Sequence, residues 1–139
     1  MKPMVWLVLA TLAFGAHAAE EDSTPCDNVE TDQQNYDCAL FNRTTAEREL
    51  KASFRERLDG VKEQFGRDSA KVAKATALLN DAQAKWELSR EADCKVETFD
   101  VKPGKPLETA LNNCLAQRSD DRSAYLQDLG PQDQIPEQE

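Results

Sequence analysis

Histidine is nearly absent from this chain: its 139 residues include one, His17. Basic residues are scarce as well, 17 Lys and Arg against 26 Asp and Glu, for a formal net charge of −9. That balance excludes a nucleic-acid binder, because phosphate contacts need a basic face. Neither a Gly-rich phosphate loop nor a Gly-x-Ser-x-Gly nucleophile turn occurs, so two common catalytic scaffolds are missing. Aromatic residues amount to 6% and glycines number 5. No stretch alternates apolar and polar residues far enough to build a sheet. There is no internal repeat, and the length suits one small domain.

What is present begins with a leader. Met1–Ala18 reads as a secretory signal peptide: Lys2 is the positive start, Val5–Phe14 the apolar run, and Ala16-His17-Ala18 the small-x-small cleavage pattern. That run is too short for a membrane anchor, which needs about 20 residues, and acidic residues follow it at once. No cysteine stands directly after the cleavage site to take a lipid. Cleavage before Ala19 leaves 121 residues and removes Lys2, so 16 cations face 26 acids and the charge becomes −10. It also removes His17. A chain without histidine runs no Ser-His-Asp or Cys-His mechanism and builds no His-containing zinc site. The expectation is a periplasmic or secreted bacterial protein, not an enzyme, with no cofactor, no metal and no membrane insertion after cleavage.

Four cysteines remain: Cys26, Cys38, Cys94 and Cys114. An even number in an exported chain reads as disulfides. A four-thiolate zinc site is disfavoured, since no C-x-x-C pair is present. Three pairings are open. The local one is Cys26–Cys38 with Cys94–Cys114, and its chief rival is Cys38–Cys94 with Cys26–Cys114. A bridge closing a loop of about 12 to 20 residues contributes about 3 kcal/mol.

Three helices account for the rest. Thr31-Asp32-Gln33-Gln34 has capping-box spacing and predicts a start. Tyr36, Leu40, Ala46, Leu50, Phe54, Leu58, Val61 and Phe65 then recur mostly at three- or four-residue steps, with a break expected near Thr44-Thr45. Gly66 reads as the stop and Asp68-Ser69 as the next cap. The second helix is predicted over Ser69–Cys94. Its apolar stripe is Val72, Ala75, Leu79, Ala82 and Trp86, with Lys71, Lys74, Asp81, Lys85 and Glu91 on the solvated face. Trp86, the sole tryptophan of the mature chain, reads as a core anchor.

Lys95–Pro106 is the one long connection, broken by Pro103-Gly104 and Pro106. Pro106 suits the first position of a third helix carrying Leu107, Leu111, Cys114, Leu115, Arg118, Arg122, Tyr125, Leu126 and Leu129. Gly130-Pro131 ends it. The tail 131–139 is acidic and poor in apolar residues, which predicts disorder. Residues 19–130 therefore read as one all-α domain, a three-helix up-down-up bundle with two disulfides and one long loop between helices two and three. Such a bundle gathers all four sulfurs at one pole, and distance alone slightly favours the rival pairing.

The second helix carries a specific combination: Leu79-x-x-Ala82-Gln83-x-x-Trp86-x-x-x-Arg90-Glu91-x-x-Cys94. It resembles the signature of the LprI-type lysozyme-inhibitor N-terminal domain family, small exported bacterial proteins formerly catalogued as a domain of unknown function. Cys26 and Cys38, Leu50 and Phe54, and Cys114, Ser119, Arg122 and Leu126 agree with it in order. The match spans about Cys26 to Leu129. Glu91 stands where the family often has Asp, and Phe54 where it often has Tyr. The resemblance implies an α-helical exported domain, prefers the local disulfide pairing, and implies lysozyme inhibition for the named branch.

Read for their own chemistry, the motif residues Leu79, Gln83, Trp86, Arg90, Glu91 and Arg122 are structural. Trp86 and Arg90 are four apart, so the guanidinium can stack on the indole. Two functions stay open. One is an acidic protein-binding inhibitor of lysozyme, an enzyme that is generally cationic and would attract a −10 partner. Its candidate contacts are Phe99, as an apolar anchor, and Asp100, as a competing carboxylate. The alternative is a periplasmic structural or interaction module with no lysozyme activity. The alternative for the loop itself is that Phe99 and Val101 simply pack over the helix ends. A hydrolase built on Glu87 and Glu91 has nothing beyond their spacing to support it.

Overall fold

The capping box at Thr31 starts the first element where the sequence predicts it. Thr31 Oγ1 accepts from the Gln34 amide at 3.2 Å, and Gln34 Oε1 accepts from the Thr31 amide at 3.0 Å. The computed structural model describes residues 23–130; the predicted signal peptide Met1–Ala18 and the predicted disorder of 131–139 lie outside the described residues. Helix α1 spans Asp32–Phe65, α2 Ser69–Glu97 and α3 Lys105–Asp128. The break expected near Thr44-Thr45 is not there. Thr44 Oγ1 donates to the Phe41 carbonyl at 3.0 Å, so the hydroxyl is satisfied within the helix and does not end it. Asp68 caps α2 by accepting from the Lys71 amide at 3.0 Å. Helix α2 runs three residues beyond its predicted end, which shortens the long loop to Thr98–Gly104.

Contacts along the bundle set its topology. Lys105 lies over the Tyr36 ring, Arg43 bonds Asn112 and Arg57 bonds Leu129, so α1 and α3 run parallel. Helix α2 runs antiparallel to both, giving up-down-up. The most extensive packing is between α1 and α3. Half of their buried residues are Ala or Ser, most at seven-residue steps: Ala39, Ala46 and Ser53 on α1, Ala116 and Ser123 on α3, with Ser119, beside the larger Leu50, Val61, Leu115 and Leu126. A seven-residue repeat of small side chains lets two helix backbones approach closely along one seam.

The disulfides are Cys26–Cys38 and Cys94–Cys114. This is the pairing implied by the family resemblance; the rival set that distance slightly favoured does not form, and no thiolate is left for zinc. Asn42 lies beside both Cys26 and Cys38, so the lead-in folds back onto the helix it precedes. Cys94 is fully buried and faces α3.

At the opposite end, Arg57 is buried on α1 and donates from Nη1 to the Leu129 carbonyl at 2.7 Å. A cation there satisfies an orphan carbonyl and suits the negative end of the α3 dipole. Gly60 leaves it room, since a Cβ there would lie 2.9 Å from the guanidinium. Replacing Arg57→Met keeps most of the stem and removes the donor. The expected loss is about 1–3 kcal/mol, read by urea denaturation; an unchanged midpoint would show that the α3 terminus does not need the cation.

Candidate functional site

Helix α2 turns a polar edge inward. Its buried residues are Gln83, Arg90 and Cys94; Leu79 and Trp86 are half-buried, and Ala82, placed in the predicted apolar stripe, is exposed. The reason lies in what α2 meets. Arg90 Nη1 donates to Ser119 Oγ on α3 at 2.9 Å and to Glu47 Oε1 on α1 at 3.2 Å. Ser119, fully buried, passes its own proton to the Leu115 carbonyl at 2.7 Å. Glu47 also accepts from Arg43 Nε at 3.0 Å. One guanidinium therefore joins all three helices.

Trp86 lies beside this junction with two cations near its ring, Arg90 at 5.2 Å and Arg122 at 5.6 Å. Arg122 Nε donates to Gln83 Oε1 at 3.1 Å, and its guanidinium also lies 4.9 Å from the Tyr125 ring. Burial lowers the Arg122 pKa from the ordinary arginine value, with Tyr125 acting the other way. Glu91 is exposed, 3.9 Å from Arg90. Gln83, Trp86, Arg90 and Arg122 thus meet in one cluster, with half-buried Leu79 about one turn before Gln83 along α2.

The loop Thr98–Gly104 leaves the bundle just beyond the Cys94–Cys114 bridge. Thr98 is buried, and both its amide and its hydroxyl donate to the Cys94 carbonyl. The Val101 amide donates to the Thr98 carbonyl at 3.0 Å. Gly104 has φ +98°, a conformation open to glycine and strained for other residues. Glu97, at the end of α2, is ion-paired with Arg118 of α3. The base of the loop is braced, yet Phe99 is 85% exposed. Asp100 beside it is exposed and Val101 half-buried. The alternative in which Phe99 packs over the helix ends is thereby overturned: Val101 alone turns inward.

The partners of Arg90, namely Glu47 and Ser119, were not legible as partners in the sequence; a buried serine gives no periodic signal. Among the described residues no group of three or more His, Cys, Asp or Glu is placed to hold a metal, and no helix is long and apolar enough to cross a membrane.

A family model described as "Lysozyme inhibitor LprI" matches residues 26–126. The chain belongs to the LprI family. That match encloses both disulfides, the Arg90 junction and the loop. The family is described as an inhibitor family and not as an enzyme family. Among solved structures, the chain is similar to a DUF1311 family protein from Pseudomonas putida KT2440, at 44% identity and a TM-score of 0.67, over 76% of this chain and 99% of that one. No curated protein matches it.

Two predictions follow from the side-chain geometry. Arg90→Met removes the donor that Glu47 and Ser119 share while keeping the stem, and should lower stability by about 1.5–3 kcal/mol, with Arg90→Lys rescuing only part because an ammonium lacks the planar guanidinium that also lies against the Trp86 ring. A guanidinium denaturation series checks this, and wild-type stability in Arg90→Met would refute it. The second concerns Asp120, in a polar groove between α1 and α3 beside Glu49. Desolvation, then Glu49 and Asp121, raise its pKa above the usual 3.8. The folded state then holds the Asp120 proton more tightly than the unfolded state, so ionised Asp120 costs stability above its folded pKa. Asp120→Asn should raise the melting temperature at pH 7, by well under ~1 kcal/mol for so exposed a group. The gain should vanish as pH falls through the folded pKa toward 3.8; a gain that persists at lower pH would refute the assignment.

Proposed function

We propose that the mature chain is an exported inhibitor that binds a cationic lysozyme through the stapled α2–α3 loop. Phe99 is the apolar anchor and Asp100 the carboxylate that competes for cationic groups on the target. One observation carries this reading: the most exposed large apolar side chain of the described residues stands on a loop that starts one turn past the Cys94–Cys114 bridge and is held by backbone bonds at Thr98, Phe99 and Val101. An aromatic side chain standing free on an ordered loop is available to fill a partner's pocket, where such anchors carry much of an interface's affinity. A loop already ordered before binding loses little entropy on docking, which favours affinity.

Charge and compartment support the same reading. A net charge of −10 after cleavage of Met1–Ala18 steers a cationic partner toward the domain at low salt. Two disulfides suit a chain that works outside the cytosol.

The test is a turbidity assay with bacterial cell walls, a cationic lysozyme and the mature protein. Clearing should slow in proportion to added protein. The pair Phe99→Ala with Asp100→Ala should weaken inhibition at least about tenfold, as loss of an anchor does, with an unchanged melting temperature because both side chains are exposed. No slowing by the wild type at large molar excess would refute the function; full inhibition by the double variant would refute the loop.

A further inference from the structure

We propose that the outward face of α2 is a second half of the lysozyme-docking surface, an apolar ridge of Leu88 and Val96 that continues from Phe99. This rests on the reading of the loop as target-binding. The four most exposed large apolar side chains are Phe99 at 85%, Leu88 at 74%, Val96 at 72% and Leu78 at 60%. All four belong to α2 or to the loop it feeds; the other exposed large apolar residues, on α1 and α3, reach at most 48%.

Helix geometry aligns them. Leu78 and Val96 are eighteen residues apart, five full turns, and so point the same way, with Leu88 between them about 80° to one side. Phe99 lies one turn past Val96, to whose carbonyl its amide donates at 3.4 Å. Between Leu78 and Leu88 this face carries the exposed Asp81–Lys85 ion pair, so the unbroken apolar stretch runs from Leu88 through Ala92 and Val96 to Phe99, about 16 Å at ~1.5 Å per residue. It has no role in the bundle, because α2 meets α1 and α3 through Gln83, Arg90 and Cys94.

Area and charge argue for the occupant. One phenylalanine buries at most about 200 Å², whereas a stable complex buries about 800 Å² on each partner. Phe99 alone leaves most of that to neighbouring surface, and the ridge is the apolar surface continuous with it. From Glu87 to Asp100 the exposed charges are Glu87, Glu91, Asp93, Glu97 and Asp100 against Lys95 alone. An apolar ridge with an acidic rim suits a cationic protein. A second copy of this chain would set the same carboxylates against one another.

The experiment measures binding of a cationic lysozyme to the full mature chain by calorimetry, beside sedimentation of the chain alone. Leu88→Ala with Val96→Ala keeps strong helix formers at exposed positions. It should weaken binding at least about tenfold with an unchanged melting temperature. Leu88→Arg, which adds a cation to the ridge, should weaken it further. Wild-type affinity in both variants, while Phe99→Ala with Asp100→Ala loses binding, would overturn the ridge and leave the loop standing. Failure of the wild type to bind would instead remove the reading beneath both. A wild-type dimer split by Leu88→Ala with Val96→Ala would assign the ridge to self-association and overturn the proposal.

Discussion

The Arg90 guanidinium holds α2 against the other two helices, and the exposed features of the molecule follow from that attachment. α1 and α3 need little help, since small residues at seven-residue spacing let them pack closely. α2 brings no comparable apolar stripe. Its links to the pair run through Arg90 to Glu47 and Ser119, through Gln83 to Arg122, and through the Cys94–Cys114 bridge one turn further on. An ion pair with fixed hydrogen-bond partners specifies rotation more narrowly than apolar contact does, although its net contribution to stability is modest. Here the specified rotation turns Gln83 and Arg90 inward and leaves Leu78, Leu88 and Val96 facing out.

That rotation links packing to function. The Cys94–Cys114 bridge and the Glu97–Arg118 ion pair hold the last turn of α2, and the loop begins directly after it. Thr98, the first loop residue, gives its hydroxyl and amide to the Cys94 carbonyl, so the chain turns at a defined point and Phe99 emerges. The leucines displaced to the surface and the phenylalanine of the loop are two results of one constraint. A core whose largest fully buried side chains are Leu126, Cys94 and Ser119 is small for its length, and a bridge closing a loop of this size offsets part of that deficit.

Much of the framework was legible in the residues. Thr31 with Gln34 and Asp68 with Lys71 are local signals that need only their own neighbours to operate. The stacking of Arg90 on Trp86 likewise depends on a four-residue spacing within one helix. Other features were illegible for equally physical reasons. Thr44 can cap a break or satisfy itself inside a helix, and the sequence does not say which. Ala39, Ala46, Ser53, Ser119 and Ser123 carry too little apolar weight to register as a stripe, yet they form the tightest seam in the protein. Ala82 was placed in the apolar stripe because it continues the spacing of Val72, Ala75 and Leu79, and it faces water.

The sequence by itself determined that the chain is helical, where its caps lie, that its cysteines number four, and that it is acidic with His17 as its one histidine. These are properties of composition and of neighbours a few residues apart. Tertiary structure alone decided which cysteines bond, that α1 and α3 form the inner pair, and that α2 buries its polar edge and exposes its leucines. Each of those depends on partners between 12 and 74 residues away in the chain, which no local periodicity encodes.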